Sequence, residues 1–157
     1  MSEIFIEITQ INYGSAKWNE LIEFAKTCSW RGTGQYFAEL LEGNEFEDSE
    51  KIFVAFHDEE IAGFVALVNE SCVEDVGYAP WLDFLFVSEK FRHKGIAKML
   101  IDHVLQTAAK EELRNVYLCT VSHKEMYAKS GFEVIDKTAI NGGDECCVMR
   151  ARTALKD

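Results

Sequence analysis

Arg92-His93-Lys94-Gly95-Ile96-Ala97 brings together residue types that bind phosphate. Lys90, Arg92, Lys94 and Lys98 fall within nine residues that hold no Asp or Glu, in a chain whose 27 acidic and 16 basic residues give a net charge of −11. The segment therefore reverses the local charge of an acidic protein. Gly95 lets backbone N–H groups come close to a ligand, and a helix starting beside it points its positive dipole end at the same place. Basic side chains, a small residue and a helix N-terminus together describe a site for phosphate or pyrophosphate. An apolar run before the segment and an amphipathic stripe after it predict a strand-to-helix context, which sets it apart from an ordinary solvated run of lysines.

The elements that must position this segment follow from the apolar spacing. Ile4, Phe5, Ile6, Ile8 and Ile11 predict an opening strand rich in β-branched residues. Helices are expected at about 16–28, where Trp18, Leu21, Ile22 and Ala25 recur at helical spacing, and at 34–42, with Tyr36, Phe37, Leu40 and Leu41. Arg31-Gly32-Thr33-Gly34 is read as the break between them and Gly43-Asn44 as the end of the second. Residues 52–57 and 61–69 predict a hairpin through the acidic turn Asp58-Glu59-Glu60. Leu82-Asp83-Phe84-Leu85-Phe86-Val87 is apolar on both faces after Asp83, as in a central strand covered on both sides. Apolar residues at 96, 97, 100, 101, 104, 105 and 108 form a helical stripe. Then come a strand at 116–121, a short helix at 124–129 stopped by Gly131, a strand at 132–135 and a last strand at 145–152 after the turn 141–144. The sum is one α/β domain over 1–157, a mixed, largely antiparallel sheet with one strand-helix-strand crossover.

Composition narrows the classes of function. Hydrophobic residues make up 48% of the 157, enough for a packed core. The longest apolar run, Ile61 to Val68 with Gly63 inside it, is far short of the roughly 20 residues of a membrane span. No basic-then-apolar leader follows Met1, so a cytoplasmic location is expected. Cys28, Cys72, Cys119, Cys146 and Cys147 lack metal-ligand spacing and are read as free thiols of a reducing compartment, Cys119 lying near the proposed site. The negative charge argues against nucleic acid or a membrane surface as partner and favours a cationic substrate. The cluster Glu39, Glu42, Glu45, Glu47, Asp48 and Glu50 is read as a solvated helix end and loop.

Taken with their order, these features resemble the GNAT superfamily of acyl-coenzyme A-dependent N-acetyltransferases. Arg92 to Ala97 is similar to the family's Arg/Gln-x-x-Gly-x-Gly/Ala pyrophosphate loop, the strand Leu82 to Val87 leads into it, and Tyr127-Ala128-Lys129-Ser130-Gly131-Phe132 resembles its Tyr-x-Lys-x-Gly-Phe ending. The resemblance spans nearly the whole chain and is strongest over about 52–135. One departure lies after the strand 116–121, where many members carry an Asn and this chain has Thr120, Val121 and Ser122.

The resemblance implies a fold and a reaction. Acetyl-coenzyme A would be the acyl donor, with no metal. Its pyrophosphate would lie over Arg92, His93, Lys94, Gly95, Ile96 and Ala97, its pantetheine arm beside Leu85, Phe86 and Val87, with Thr120 as a polar contact. A lysine-like amine, with a pKa near 10.4, is free base in only about one molecule in a few thousand at pH 7. That corresponds to roughly 4–5 kcal/mol, enough for a base or water relay to matter. Asp83 is the candidate base, at a position where some relatives carry a Glu used this way; it reads equally well as the solvated start of its strand. A backbone N–H near Phe86 would polarise the thioester carbonyl, and Tyr127 matches the general acid of many relatives. The acceptor would be a small-molecule or peptide amine, of cationic type by net charge, and a homodimer is open because many relatives dimerise. A coenzyme A-binding sensor without turnover is the alternative.

Overall fold

In a computed structural model the described residues are 5–71, 77–139 and 145–154. They form seven strands in one mixed sheet of hydrogen-bonded order β1-β2-β3-β4-β5-β7-β6. The strands are β1 (Glu7–Ile11), β2 (Lys51–His57), β3 (Glu60–Val68), β4 (Trp81–Val87), β5 (Asn115–Thr120), β6 (Glu133–Ala139) and β7 (Glu145–Arg152), and the helices α1 (Ala16–Thr27), α2 (Arg31–Glu42), α3 (Ile96–Lys110) and α4 (Lys124–Ala128). The expected element order is therefore present. Ile4, Cys72 and the turn 141–144 lie outside the described residues.

The chain divides into two compact units. The first comprises residues up to Ala66 together with Phe84–Leu100. Here α1 starts where the Ser15 hydroxyl accepts the Trp18 N–H at 3.2 Å, and it buries Trp18, Leu21, Ile22 and Ala25. The Trp18 indole N–H donates to the Leu41 carbonyl at 3.0 Å and ties α1 to α2. Helix α2 begins at Arg31, three residues before the expected start at 34. Gly32 and Gly34, read as breakers, lie inside its first turns. Gly34 is needed there, because a Cβ would sit 2.6 Å from the Ala25 carbonyl oxygen and 2.8 Å from the Cys28 sulfur. The two helices approach too closely for any larger residue.

Beneath α2 the core is aromatic. The Phe37 ring stacks on Phe64 at 4.8 Å and on Phe84 at 4.7 Å. A fully buried ring of this kind contributes roughly 1.5–3 kcal/mol. Strand β1 runs antiparallel to β2 with Ile11 opposite Ile52. The hairpin between β2 and β3 forms without an Asn-Gly turn because Asp58 itself takes the left-handed conformation, with φ at 55°.

The second unit comprises Leu67–Asp83 and the residues from Ile101 onward. In it β4 and β5 pair in parallel with Trp81 opposite Tyr117, and β5 and β6 both pair antiparallel with β7. Tyr78 stacks on Tyr117 at 4.7 Å, and Tyr117 N–H donates to the Pro80 carbonyl. Strand β6 extends to Ala139, four residues past the expected end at 135. The polar pair Asp136-Lys137 hid this continuation; on an outermost strand such residues face solvent at little cost. Cys146 and Cys147 are both buried although adjacent, so both faces of β7 are covered there.

Candidate functional site

The basic segment belongs to the first unit and begins at the end of β4. After Val87 the chain makes a 3₁₀ turn at Glu89–Phe91 and then passes through Arg92 to Gly95 into α3. His93 and Gly95 take left-handed conformations, with φ at 64° and 82°. Gly95 accepts the first helical bond, from Met99 N–H at 3.1 Å, so the amides of the first turn of α3 lack carbonyl partners within the helix. A Cβ built on Gly95 would meet nothing within 4 Å. The space above this glycine is open, and its need is conformational. His93, Lys94 and Lys98 are exposed there, and Ile96 is buried as the helix's anchor. Open backbone amides edged by cations suit a pyrophosphate.

Arg92 is partly engaged. Its Nε–H donates to the Val87 carbonyl at 2.9 Å and its guanidinium lies over the Phe86 ring at 5.5 Å. It fastens the segment to β4, leaving the terminal nitrogens of its fork for an anion. The strand differs from the sequence expectation. Phe84 and Phe86 are buried, but Leu85 and Val87 are only half-buried, so β4 is not covered on both faces at this end. One face remains accessible beside the residues expected to line an acyl-carrying arm.

A further feature of β4 carries no mark in the sequence. Phe84 is left-handed, with φ at 54°, inside a strand. A bulky residue in this conformation costs about 1–2 kcal/mol. Stacking on Phe37 at 4.7 Å and contact with the Tyr36 ring at 6.1 Å oppose that cost. Trp30 stacks on Phe86 at 6.0 Å, while Trp18 and Phe37 are buried packing residues.

Asp83, Cys119, Thr120 and Tyr127 come together in the second unit. Tyr127, in the short helix α4, has its phenol pushed up to about 12 from its ordinary 10.0. Burial is the largest cause, followed by the charges of Asp83 and then Cys119. Each destabilises the phenolate, so the hydroxyl keeps its proton. Asp83 is half-buried rather than a fully solvated strand start, and its charge acts on Tyr127. Sulfur Sγ of Cys119 lies 3.9 Å from the Ser71 hydroxyl, a neighbour that sequence spacing gave no reason to expect. The Thr120 hydroxyl accepts the His123 N–H at 3.1 Å and so shapes the turn into α4.

The residues after Tyr127 hold it in place. Its carbonyl accepts from both Ser130 N–H and Phe132 N–H, Gly131 is left-handed with φ at 94°, and the Phe132 ring meets Tyr127 edge-on at 6.0 Å. The spacing Tyr-x-x-x-Gly-Phe is thus the closing turn of α4. His123 and Glu125 are exposed. His57 sits against Phe91 at 5.6 Å, and burial lowers the pKa of His103, with Lys110 adding to it. Removing the Asp83 charge, as in Asp83→Asn, is expected to lower the Tyr127 pKa, read as an earlier rise in phenolate absorbance after subtraction of the Tyr127→Phe spectrum. An unchanged titration would mean that burial and Cys119 set it without Asp83.

Among the described residues, no group of three His, Cys, Asp or Glu side chains is placed to hold a metal, and no helix is long and apolar enough to cross a membrane.

The fold has counterparts in known structures. An acetyltransferase inferred to be of the GNAT family from Desulfovibrio desulfuricans superposes with a TM-score of 0.76 at 13% identity, over 96% of this chain and all of that one. An aminoglycoside 6′-acetyltransferase type Ii superposes at 0.76 with 18% identity, over 96% and 99%. A GNAT family acetyltransferase from Elizabethkingia anophelis, solved with acetyl-CoA bound, gives 0.64 at 16% identity, over 94% and 97%. No curated protein matches in sequence. The family model described as Acetyltransferase (GNAT) family matches residues 15–132, three quarters of the chain and every element from α1 to α4; the chain belongs to the GNAT family of N-acetyltransferases.

Proposed function

We propose that residues 1–157 act as one domain that transfers an acetyl group from acetyl-CoA directly to a primary amine of a small molecule or peptide. The observation that carries this reading is the segment from Arg92 to Ala97: left-handed His93 and Gly95, open space over Gly95 and exposed cations in a chain of net charge −11. The residues fit a pyrophosphate. Acetyl-CoA would supply an activated thioester; Arg92, His93, Lys94, Gly95, Ile96 and Ala97 would hold its phosphates, and Leu85, Phe86 and Val87 its arm. The aminoglycoside acetyltransferase among the structural neighbours supports an amine acceptor.

Asp83 serves as base, alone or through water, for the amine proton, and the Phe86 N–H polarises the thioester carbonyl. Thr120 orients the turn before Tyr127. Tyr127, at about 12, is a poor acid towards a thiol near 8.5. Full proton transfer would run uphill by about 5 kcal/mol. The same geometry supplies a remedy. When Asp83 takes the amine proton its charge disappears, and with it the second cause of Tyr127's raised pKa. Tyr127 thereby becomes a better acid at the moment a thiolate departs, so base and acid act in sequence through their mutual field.

Calorimetric titration with acetyl-CoA tests the reading, followed by a mass-spectrometric screen of amines. Saturable micromolar binding that Lys94→Ala weakens, with an acetylated amine in the screen, is expected. No binding up to millimolar cofactor ends the proposal. Binding without transfer to any amine would instead make the chain a coenzyme A-binding module.

A further inference from the structure

The sheet ends in two outermost strands, β1 and β6, and only one of them is protected. An outermost strand turns every second N–H and C=O outward, a template on which another strand can pair. Proteins blunt such edges with bulges and with charged residues, lysine above all. Strand β6 has both: its register against β7 shifts between Val134 and Asp136, and Asp136 and Lys137 are exposed. Strand β1 has neither. It pairs with β2 residue for residue from Glu7 opposite Phe56 to Ile11 opposite Ile52. Residues 5–11 contain no Lys, Arg or Pro, and Glu7 is their single charge beside the β-branched Ile6, Ile8, Thr9 and Ile11.

The flanks of β1 carry the most exposed aromatic side chains among the described residues. Phe5, two residues before the strand, is 77% exposed, and Tyr13, two residues after it, is 61% exposed. Tyr13 meets the buried Trp18 edge-on at 5.8 Å, which fixes its place. Phe5 and Tyr13 thus stand four residues to either side of Thr9, the middle of β1.

That symmetry selects the partner. In an antiparallel pair about a two-fold axis at Thr9, the two Thr9 residues face each other. Ile8 then lies opposite Gln10 of the second copy and Glu7 opposite its Ile11. Phe5 of each copy falls beside the turn that carries Tyr13 of the other. No carboxylate faces another, and threonines directly opposite each other are a favourable pair. Aromatic side chains bury about 150–250 Å² each, so the exposed rings of two copies supply about half of the roughly 1,200 Å² of the smallest stable interfaces. A foreign strand would have to bring its own aromatics at the same spacing.

We propose that β1 is a dimerisation edge: two copies pair their β1 strands antiparallel about Thr9, and Phe5 of each packs against Tyr13 of the other. The paired strands supply the rest of the buried area. This inference stands apart from the transferase reading, since no residue assigned to the cofactor or to proton transfer takes part. Each copy carries a net charge of −11, so the copies repel at a distance and pairing should tighten as salt is added.

Sedimentation velocity of the whole chain tests it, from low to high micromolar protein and at low and high salt. Wild type is expected to shift from monomer to dimer with concentration. Phe5→Ser, at an exposed site, should weaken the dimer at least about tenfold, because each two-fold contact loses both ring pairs. Thr9→Lys and Thr9→Glu each set like charges against each other across the axis and should leave monomers with the wild-type circular dichroism spectrum. Mixed together, the two charge variants should pair with each other, a rescue that follows only from an axis at Thr9.

Three results would overturn the proposal. They are a wild-type chain that stays monomeric throughout, a dimer that Phe5→Ser and Thr9→Lys both leave intact, and a mixture of the two charge variants that does not pair. Should the charge variants fail to fold, a dimer unmoved by Phe5→Ser overturns it alone.

Discussion

Tyr127→Phe is expected to lower kcat by about 10²–10⁴-fold, the range of a lost general acid, with acetyl-CoA affinity unchanged. The ring contact with Phe132 and the backbone bonds that close α4 survive the substitution, so the fold should not respond. Because the phenol is held near 12, the wild-type rate should show no alkaline limb from this residue below about pH 11. The sign for stability follows from the same shift. A phenol raised in the folded state binds its proton more tightly there, so its contribution is fully present below pH 10.0 and is lost as pH rises through 12. Tyr127→Phe should therefore flatten the alkaline unfolding curve, seen as a smaller fall in melting temperature above pH 10.0. Full turnover in the variant would remove Tyr127 from the chemistry.

Gly63→Val is expected to give the largest loss of stability among glycine substitutions in the first unit. A Cβ at Gly63 would lie 2.5 Å from the Phe86 carbonyl oxygen and 3.3 Å from Val87 Cα. These are backbone atoms and cannot swing aside, so β3 and β4 must part. Overpacking of this kind costs about 1–3 kcal/mol, and valine should reach the upper end. For a chain of this length that corresponds to a drop of roughly 5–10 °C in melting temperature. Gly32→Ala is the matched control: nothing lies within 4 Å, its position is helical, and it should gain up to about 1 kcal/mol. Equal melting temperatures for Gly63→Val and wild type would refute the close approach. Because Gly63 faces the carbonyl of Phe86, the variant should also lose acetyl-CoA affinity.

Much of this was legible in the residues. The loop and the Tyr127 motif are local, and their chemistry depends on residue type at short spacing, so a linear reading finds them. Helical stripes such as that of α3 were equally plain. The start of α2 was misread because Gly34 serves a helix-to-helix approach at Ala25, which no pattern within α2 itself reveals. The half-open face of β4 was missed for a similar reason: Leu85 and Val87 are as apolar as buried residues. Cys119 and Asp83 lie 36 positions apart in sequence, and their shared influence on Tyr127 arises only from the fold.

Phe84 is left-handed within β4, yet nothing in the strand's own residues favours that conformation. Phe37 and Tyr36 hold it from α2. The shape of the strand is thus stored in a neighbouring helix. Transplanting residues 81–87 into another framework would carry their chemistry without the left-handed turn at Phe84, which would reappear only if Phe37 and Tyr36 travelled with them. Drift at Phe37 or Tyr36 would in turn retune the strand they hold.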